Sequence, residues 1–208
     1  MTRRLLIMGP PGAGKGTQAA AVAAQLRVPT ISTGDMFRAL QQASTPLATK
    51  VRGIMAAGGY VDDETTNAIV TDRLDRADCT DGFLLDGYPR TLSQVAYLDH
   101  RLAASSARLD AVLSLDVDDD ELVTRLVARG ERSGRSDDTP ATVRTRLALY
   151  REQTAPLLDT YRGRGLLLAV DGTGPVEQVA ERIASALQQQ ALPDHDLRPL
   201  SGADRART

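Results

Sequence analysis

Gly9-Pro10-Pro11-Gly12-Ala13-Gly14-Lys15-Gly16-Thr17 is the stretch of the 208-residue chain whose residue types most plainly suit chemistry. Its glycines let the backbone curl until successive N–H groups face one point, and a helix starting there adds positive potential. Lys15 can then reach a β- or γ-phosphate as a point charge. It stands out further because the chain has only one other lysine, Lys50, against 23 arginines. A glycine-rich turn without a ligand needs neither that lysine nor a strand before it and a helix after it. The residue following the lysine is Gly16, where Ser or Thr would supply a hydroxyl to Mg²⁺, and Thr17 comes one position later. Any Mg²⁺ is therefore expected to be held mainly by phosphates and water, which suits an ion that takes few protein ligands.

The other candidates are cationic. Arg125 and Arg129 are four apart and share a helix face, with Leu122 and Leu126 turned to the core at the same spacing. Arg38, Arg90, Arg135 and Arg146 are further arginines; a guanidinium offers a planar fork of donors, but taken alone Arg38 reads as a solvated helix arginine and the others as surface charges of an arginine-rich chain. Arg132, Arg144 and Arg151 read as surface charges. His100 and His195 have no catalytic neighbour in sequence and read as surface residues too. Asp116 and Asp118–Asp120 read as helix capping rather than a metal site. Cys79 is the one cysteine, which excludes an internal disulfide and any cysteine-rich zinc site.

Short apolar runs alternating with amphipathic stretches must position these groups. Arg4–Met8, Pro29–Ser32, Gly82–Asp86, Ala111–Val117 and Leu166–Val170 read as strands. After the glycine loop, Ala19, Val22, Ala23 and Leu26 recur at helical spacing. Further helices are expected over Glu64–Arg76, Ser93–Ala104, Asp119–Arg129, Pro140–Tyr161 and Val176–Gln190. Asp118 is a suitable N-cap with Glu121 three residues on, and Pro156 should kink or end the helix that contains it. The alternation predicts an α/β fold in three layers, a five-stranded parallel sheet between helices. Gly34–Val61, mostly helical with Gly58-Gly59 near its end, and the polar Gly130–Thr139 fall outside the sheet. Excursions of this kind, leaving strand C-termini, are where such folds bind ligands.

Composition sets the frame. Hydrophobic residues at 42% and charged residues at 25% are ordinary for a globular domain, and the length suits one domain with its own core. A net charge of −2 gives no support to nucleic-acid binding. No run approaches a membrane span, and Met1 leads directly into Arg3, Arg4 and a strand, so a cytoplasmic, soluble protein is expected. One unit over 1–190 and a disordered tail over 191–208 complete the expected organisation.

The GKGT form of the loop resembles the nucleoside monophosphate kinases, and four more segments in the family's order sharpen the likeness. They are Ile31-Ser32-Thr33-Gly34-Asp35-Met36-Phe37-Arg38, Phe83-Leu84-Leu85-Asp86-Gly87-Tyr88-Pro89-Arg90 with Gln94, the arginines from Arg125 to Arg146 with Asp137 and Asp138, and Val170-Asp171-Gly172-Thr173. Together they run from Gly9 to Gly174 and are most similar to the adenylate kinases. The resemblance implies a P-loop kinase domain with a mobile AMP-binding excursion over 32–61 and a short lid over 129–139. That lid is too small for a β-subdomain and has no cysteines for zinc. ATP would lie on Gly12, Ala13, Gly14, Lys15, Gly16, Thr17, Arg125, Arg129 and Gly174. AMP would lie among Thr33, Arg38, Met55, Gly59, Tyr60, Val61, Gly87, Tyr88, Pro89, Arg90, Gln94, Arg135 and Arg146. Lys15, Arg90, Arg129, Arg135 and Arg146 would do the catalysis, Asp137 and Asp138 would pair with lid arginines, and Asp86 would orient water on a Mg²⁺ carried with ATP.

The implied reaction is phosphoryl transfer from ATP to AMP, giving two ADP, by a monomer without nucleic-acid or membrane partners. Rival readings are a kinase of UMP, CMP or GMP and a non-catalytic nucleotide sensor. Thr33 and Gln94 speak against pyrimidine acceptors, since relatives that prefer them typically carry alanine at the first position. The paired phosphate grips speak against a sensor, which needs no second phosphate site.

Overall fold

The computed structural model describes residues 3–133 and 139–190. Five parallel strands form one sheet in the order β2-β3-β1-β4-β5: β1 (Arg3–Met8), β2 (Thr30–Ser32), β3 (Gly82–Asp86), β4 (Ala111–Asp116) and β5 (Leu167–Asp171). Registers such as Leu5 beside Leu84 and Ile7 beside Leu113 bring the C-terminal ends of the strands to one edge. Crossovers in chain order are α1 (Lys15–Leu26), then α2 (Thr33–Leu40), α3 (Pro46–Ala56) and α4 (Asp63–Leu74), then α5 (Leu92–Ala103). After β4 come α6 (Asp119–Ser133), α7 (Pro140–Leu149) and α8 (Leu157–Gly163), and α9 (Val176–Gln190) follows β5.

Period-two alternation of apolar residues covers both faces of the sheet. Leu5, Ile7, Leu113 and Leu115 point to a cluster completed by Ala19 and Val22 of α1, Leu122 and Leu126 of α6 and Ile183 of α9. Leu6, Met8, Leu85 and Val112 point the other way, against Val95 and Leu98 of α5 and Leu157 and Tyr161 of α8. A third, smaller cluster of Phe37, Val51 and Val61 holds α2 and α3 together away from the sheet.

Several boundaries differ from expectation. The helix expected to end at Arg129 continues to Ser133, so the helix itself forms the first part of the excursion assigned to 129–139. Lid residues 134–138, with Arg135, Asp137 and Asp138, lie outside the described residues, as do His195 and the tail over 191–208. The helix expected over Pro140–Tyr161 is broken. A π-helical turn, Tyr150–Thr154, closes with the Ala155 N–H on the Tyr150 carbonyl (2.8 Å), and α8 restarts just past Pro156, which has no N–H to give. Asp118 stands immediately before α6, and its carbonyl accepts the Leu122 N–H.

Candidate active site

The glycine loop joins β1 to α1, and Gly9, Gly12 and Gly14 take φ of 142°, 91° and 85°. At Gly12 a Cβ would stand 2.9 Å from Leu126 Cγ and 3.0 Å from the Leu122 carbonyl oxygen, so the loop lies hard against α6. Lys15 folds back over the loop, donating from Nζ to the carbonyls of Gly9 (2.7 Å) and Pro10 (2.9 Å). Desolvation lowers its pKa to about 8; Asp86 opposes this, while Arg90, Arg146 and Arg129 add to it. Burial also pushes the Asp86 carboxyl up, against the pull of Lys15 and Arg90. The pocket floor thus gathers Lys15, Arg90, Arg129 and Arg146 around the Asp86 carboxylate.

The β3–α5 turn and the start of α2 form one wall. Gly87, at φ 81°, lets the backbone pass where a Cβ would lie 2.8 Å from Thr33 Oγ1 and 3.0 Å from Arg90 Nη2. Buried Thr33 donates its hydroxyl to the Gly87 carbonyl (2.9 Å), and Arg90 Nε donates to the same oxygen (2.7 Å). The Arg90 guanidinium lies over the Tyr60 ring, 4.7 Å from its centroid. Gln94 is buried between the Arg90 N–H, which its Oε1 accepts at 2.7 Å, and Asp63, to which its Nε2 donates at 2.6 Å. Tyr88 is buried, with its hydroxyl on Asn67 Oδ1 (2.6 Å). Arg38 pairs with Asp35 at 2.5 Å, and Met55 Sδ accepts Gln41 Nε2 at 3.0 Å.

The opposite wall comes from α6 and the β5–α9 turn. Arg125 is held by Glu121 (2.9 Å) and by the Gly172 carbonyl (3.1 Å), which joins the helix to the turn. Within the turn, Asp171 accepts both the N–H (2.9 Å) and the hydroxyl (2.6 Å) of Thr173, and Gly174 takes φ 92°.

One cleft of about 930 Å³ connects the two walls. It is lined by Gly12 to Thr17, Thr33, Arg38, Met55, Gly59, Tyr60, Val61, Asp86 to Arg90, Gln94, Arg125, Arg129, Arg146 and Gly174. Every sequence-derived site residue within the described set is therefore in one place, and Arg135 lies outside that set. Arg144 and Arg151 are not in the lining, and Arg151 pairs with Asp119. His100 is exposed near the end of α5.

Other residues of the site escaped the sequence reading. Arg182 donates to the carbonyls of Asp171 (2.9 Å) and Thr173 (2.7 Å), fixing the turn from α9. Gln18 ties α1 to the Val176 carbonyl (2.9 Å). Thr154 donates to the Arg90 carbonyl (3.0 Å) and meets the Tyr60 hydroxyl (3.1 Å), and burial pushes the neighbouring Tyr150 phenol up to about 12. Each works through a partner more than eight residues away, so no local motif marks it.

A Mg²⁺ borne by a nucleotide fits here on chemical grounds. A Cβ at Gly16 would stand 3.8 Å from Asp86 Oδ2, so the missing side chain leaves room between loop and carboxylate. Among the described residues no three His, Cys, Asp or Glu side chains cluster as a metal cage. None of the helices among those residues is long and apolar enough to cross a membrane.

The family model for adenylate kinase matches residues 7–166. The adenylate kinase of Clavibacter michiganensis is 51% identical over 203 residues, 98% of this chain and 99% of that protein. That of Nocardioides sp. is 53% identical over 184 residues, 88% and 96% of the two chains, and that of Thermobifida fusca is 50% identical over 188 residues, 90% and 100%. Identity at this level along nearly the whole length, on a P-loop sheet whose cleft joins two walls through a floor of cations, places the chain in the adenylate kinase family.

Proposed function

We propose that this chain transfers the terminal phosphoryl group of ATP to AMP, reversibly giving two ADP, with the labour divided across its cleft as follows. The observation that carries the reading is the cleft itself: two nucleotide-sized walls, with Lys15, Arg90, Arg129 and Arg146 lining the space between them. On the donor side the N–H groups of Gly12 to Thr17 cradle the polyphosphate, and Lys15 leaves the Gly9 and Pro10 carbonyls for the phosphate oxygens. Arg125 and Gly174 border the adenine and ribose of ATP. On the acceptor side Arg38 and Arg90 grip the AMP phosphate, while Thr33, Met55, Gln94 and the Gly59–Val61 turn surround its adenine.

The acceptor atom is a phosphate oxygen, largely ionised at neutral pH because a monoester's second pKa is about 6. No general base is needed, and the work of the chain is positioning and charge stabilisation. Lys15 and the arginines meet the charge that spreads over the migrating group. Arg135 keeps the catalytic role its motif implies. Bound Mg²⁺ would lower the charge of the polyphosphate, and Asp86 would hold its water shell.

Turnover of purified protein with Mg·ATP and each of AMP, UMP, CMP and GMP tests the reading. AMP should be strongly preferred, and Lys15→Met should lower kcat by roughly 10²–10³-fold with the melting temperature kept, the scale expected on removing one charge-stabilising group. Nucleotide binding without turnover would favour the sensor, and equal use of UMP or CMP would overturn AMP as acceptor.

A further inference from the structure

Gln94 is 1% exposed, and the two ends of its carboxamide are engaged in opposite senses. Its Oε1 accepts the backbone N–H of Arg90 at 2.7 Å, and its Nε2 donates to Asp63 Oδ1 at 2.6 Å. The other Asp63 oxygen accepts the Thr91 hydroxyl at 2.9 Å, and that hydroxyl accepts the Gln94 backbone N–H at 3.2 Å. A backbone N–H can only donate and a carboxylate can only accept, so the surroundings dictate which end of the amide is nitrogen. One lone pair on Oε1 and one N–H on Nε2 remain after these bonds are counted.

We propose that Asp63, which is not among the residues lining the cleft, is the positioning residue that sets base selectivity at the acceptor site, by locking the Gln94 carboxamide in one of its two orientations. This rests on the reading of Gln94 as the group that meets the acceptor base. In the locked orientation the site offers a donor and an acceptor in fixed order. The adenine edge is complementary, with N1 accepting and the 6-amino group donating. A 6-oxopurine such as hypoxanthine reverses the order, with N1–H donating and O6 accepting. To suit it, Gln94 would have to turn over, which sets its oxygen against the Asp63 carboxylate and its NH₂ against the Arg90 N–H. Acceptor against charged acceptor is the more costly of these contacts, so Asp63 does most of the locking. A primary amide left unlocked would serve both edges.

Asp63 is held ready by its place in the fold. It is the first residue of α4, directly after Asp62, whose own side chain accepts the Thr65 N–H as the helix cap (2.9 Å). Asp62 also pairs with Lys50 at 2.8 Å, so capping and ion pairing fall to one carboxylate and the next is left to Gln94 and Thr91.

The test compares kcat/KM for AMP and for inosine monophosphate in the wild type, Gln94→Ala, Asp63→Ala, Asp63→Asn and the double variant Gln94→Ala/Asp63→Asn. KM for ATP and melting temperature are followed throughout. Asp63→Ala should lower the AMP-to-IMP ratio about tenfold or more, as expected when a polar discrimination loses its fixed partner, with KM for ATP unchanged. Asp63→Asn keeps the side-chain volume but can meet either end of Gln94, so it should lower the ratio as well. In the Gln94→Ala background Asp63→Asn should change the ratio no further, which a merely structural role would not produce. A wild-type ratio in both Asp63 variants, with the ratio lost in Gln94→Ala, overturns the lock and leaves the base-site reading standing. A wild-type ratio in Gln94→Ala overturns both.

Discussion

At the scale of single residues, Lys15 is the phosphate-loop group that burial moves well away from its ordinary state. Its folded pKa of about 8 lies below the usual 10.5, and desolvation is the main cause. Below pH 8 the folded chain therefore holds a poorly solvated cation that works against folding. The folded state binds fewer protons than the unfolded state between 8 and 10.5, so this penalty is relieved as pH rises through that window. Function runs the opposite way, because the neutral amine no longer attracts phosphate. We predict that kcat/KM for ATP falls as pH rises through about 8, since that parameter reports the free enzyme. The alkaline limb of kcat should lie at higher pH, because bound polyphosphate raises the lysine pKa again. Steady-state pH profiles check this, and coincident limbs for the two parameters would count against it.

At the scale of elements, the π-helical turn between α7 and α8 has a job that an unbroken helix could not do. It presents Thr154 to the Arg90 carbonyl (3.0 Å) and to Tyr60 (3.1 Å), which follows α3. The carbonyl can only accept, so the Thr154 proton goes there and the Tyr60 hydroxyl donates to Thr154 Oγ1. The Tyr60 ring in turn lies under the Arg90 guanidinium. Thr154→Val keeps the shape but strands both partners, at a cost of roughly 1–3 kcal/mol. We expect it to raise KM for AMP by about tenfold through Arg90, with little change in KM for ATP. Tyr60→Phe should reproduce part of the effect, and the double variant should be no worse than Thr154→Val alone, because the three groups form one unit.

At the scale of the whole molecule, the apolar residues divide into two large layers about the sheet and one small cluster under the acceptor excursion. Leu113 on β4, an interior strand of the sheet, and Val51 in the small cluster are both fully buried. Leu113→Ala should cost about 2–5 kcal/mol of global stability, as in other large-to-small core changes. Val51→Ala should act locally: amide protection in α2 and α3 falls and KM for AMP rises, while protection in β1 and β4 stays near wild type. Hydrogen exchange resolved by peptide separates the two, and uniform loss of protection in Val51→Ala would show that the excursion does not open on its own.

Much of this molecule is legible in its sequence because the relevant forces are local. The short continuous apolar runs on β1, β3 and β4 announce buried strands, Gly9 to Thr17 announces a phosphate loop by its own backbone requirements, and Pro156 announces a break since it lacks an N–H. The parallel sheet follows from the alternation of such units, and the motif residues it carries meet in the cleft. Tertiary structure alone decided the rest. Nothing near Asp63 in sequence tells of Thr91 and Gln94, 28 and 31 residues away, and nothing near Thr154 tells of Tyr60 and Arg90, 94 and 64 away. Asp63 could have been another first-turn carboxylate, Thr154 another helical threonine, and Arg182 another exposed arginine. A hydrogen bond acts only when donor and acceptor come within about 3 Å, and the packing of separate crossovers on the sheet sets that distance rather than any spacing along the chain.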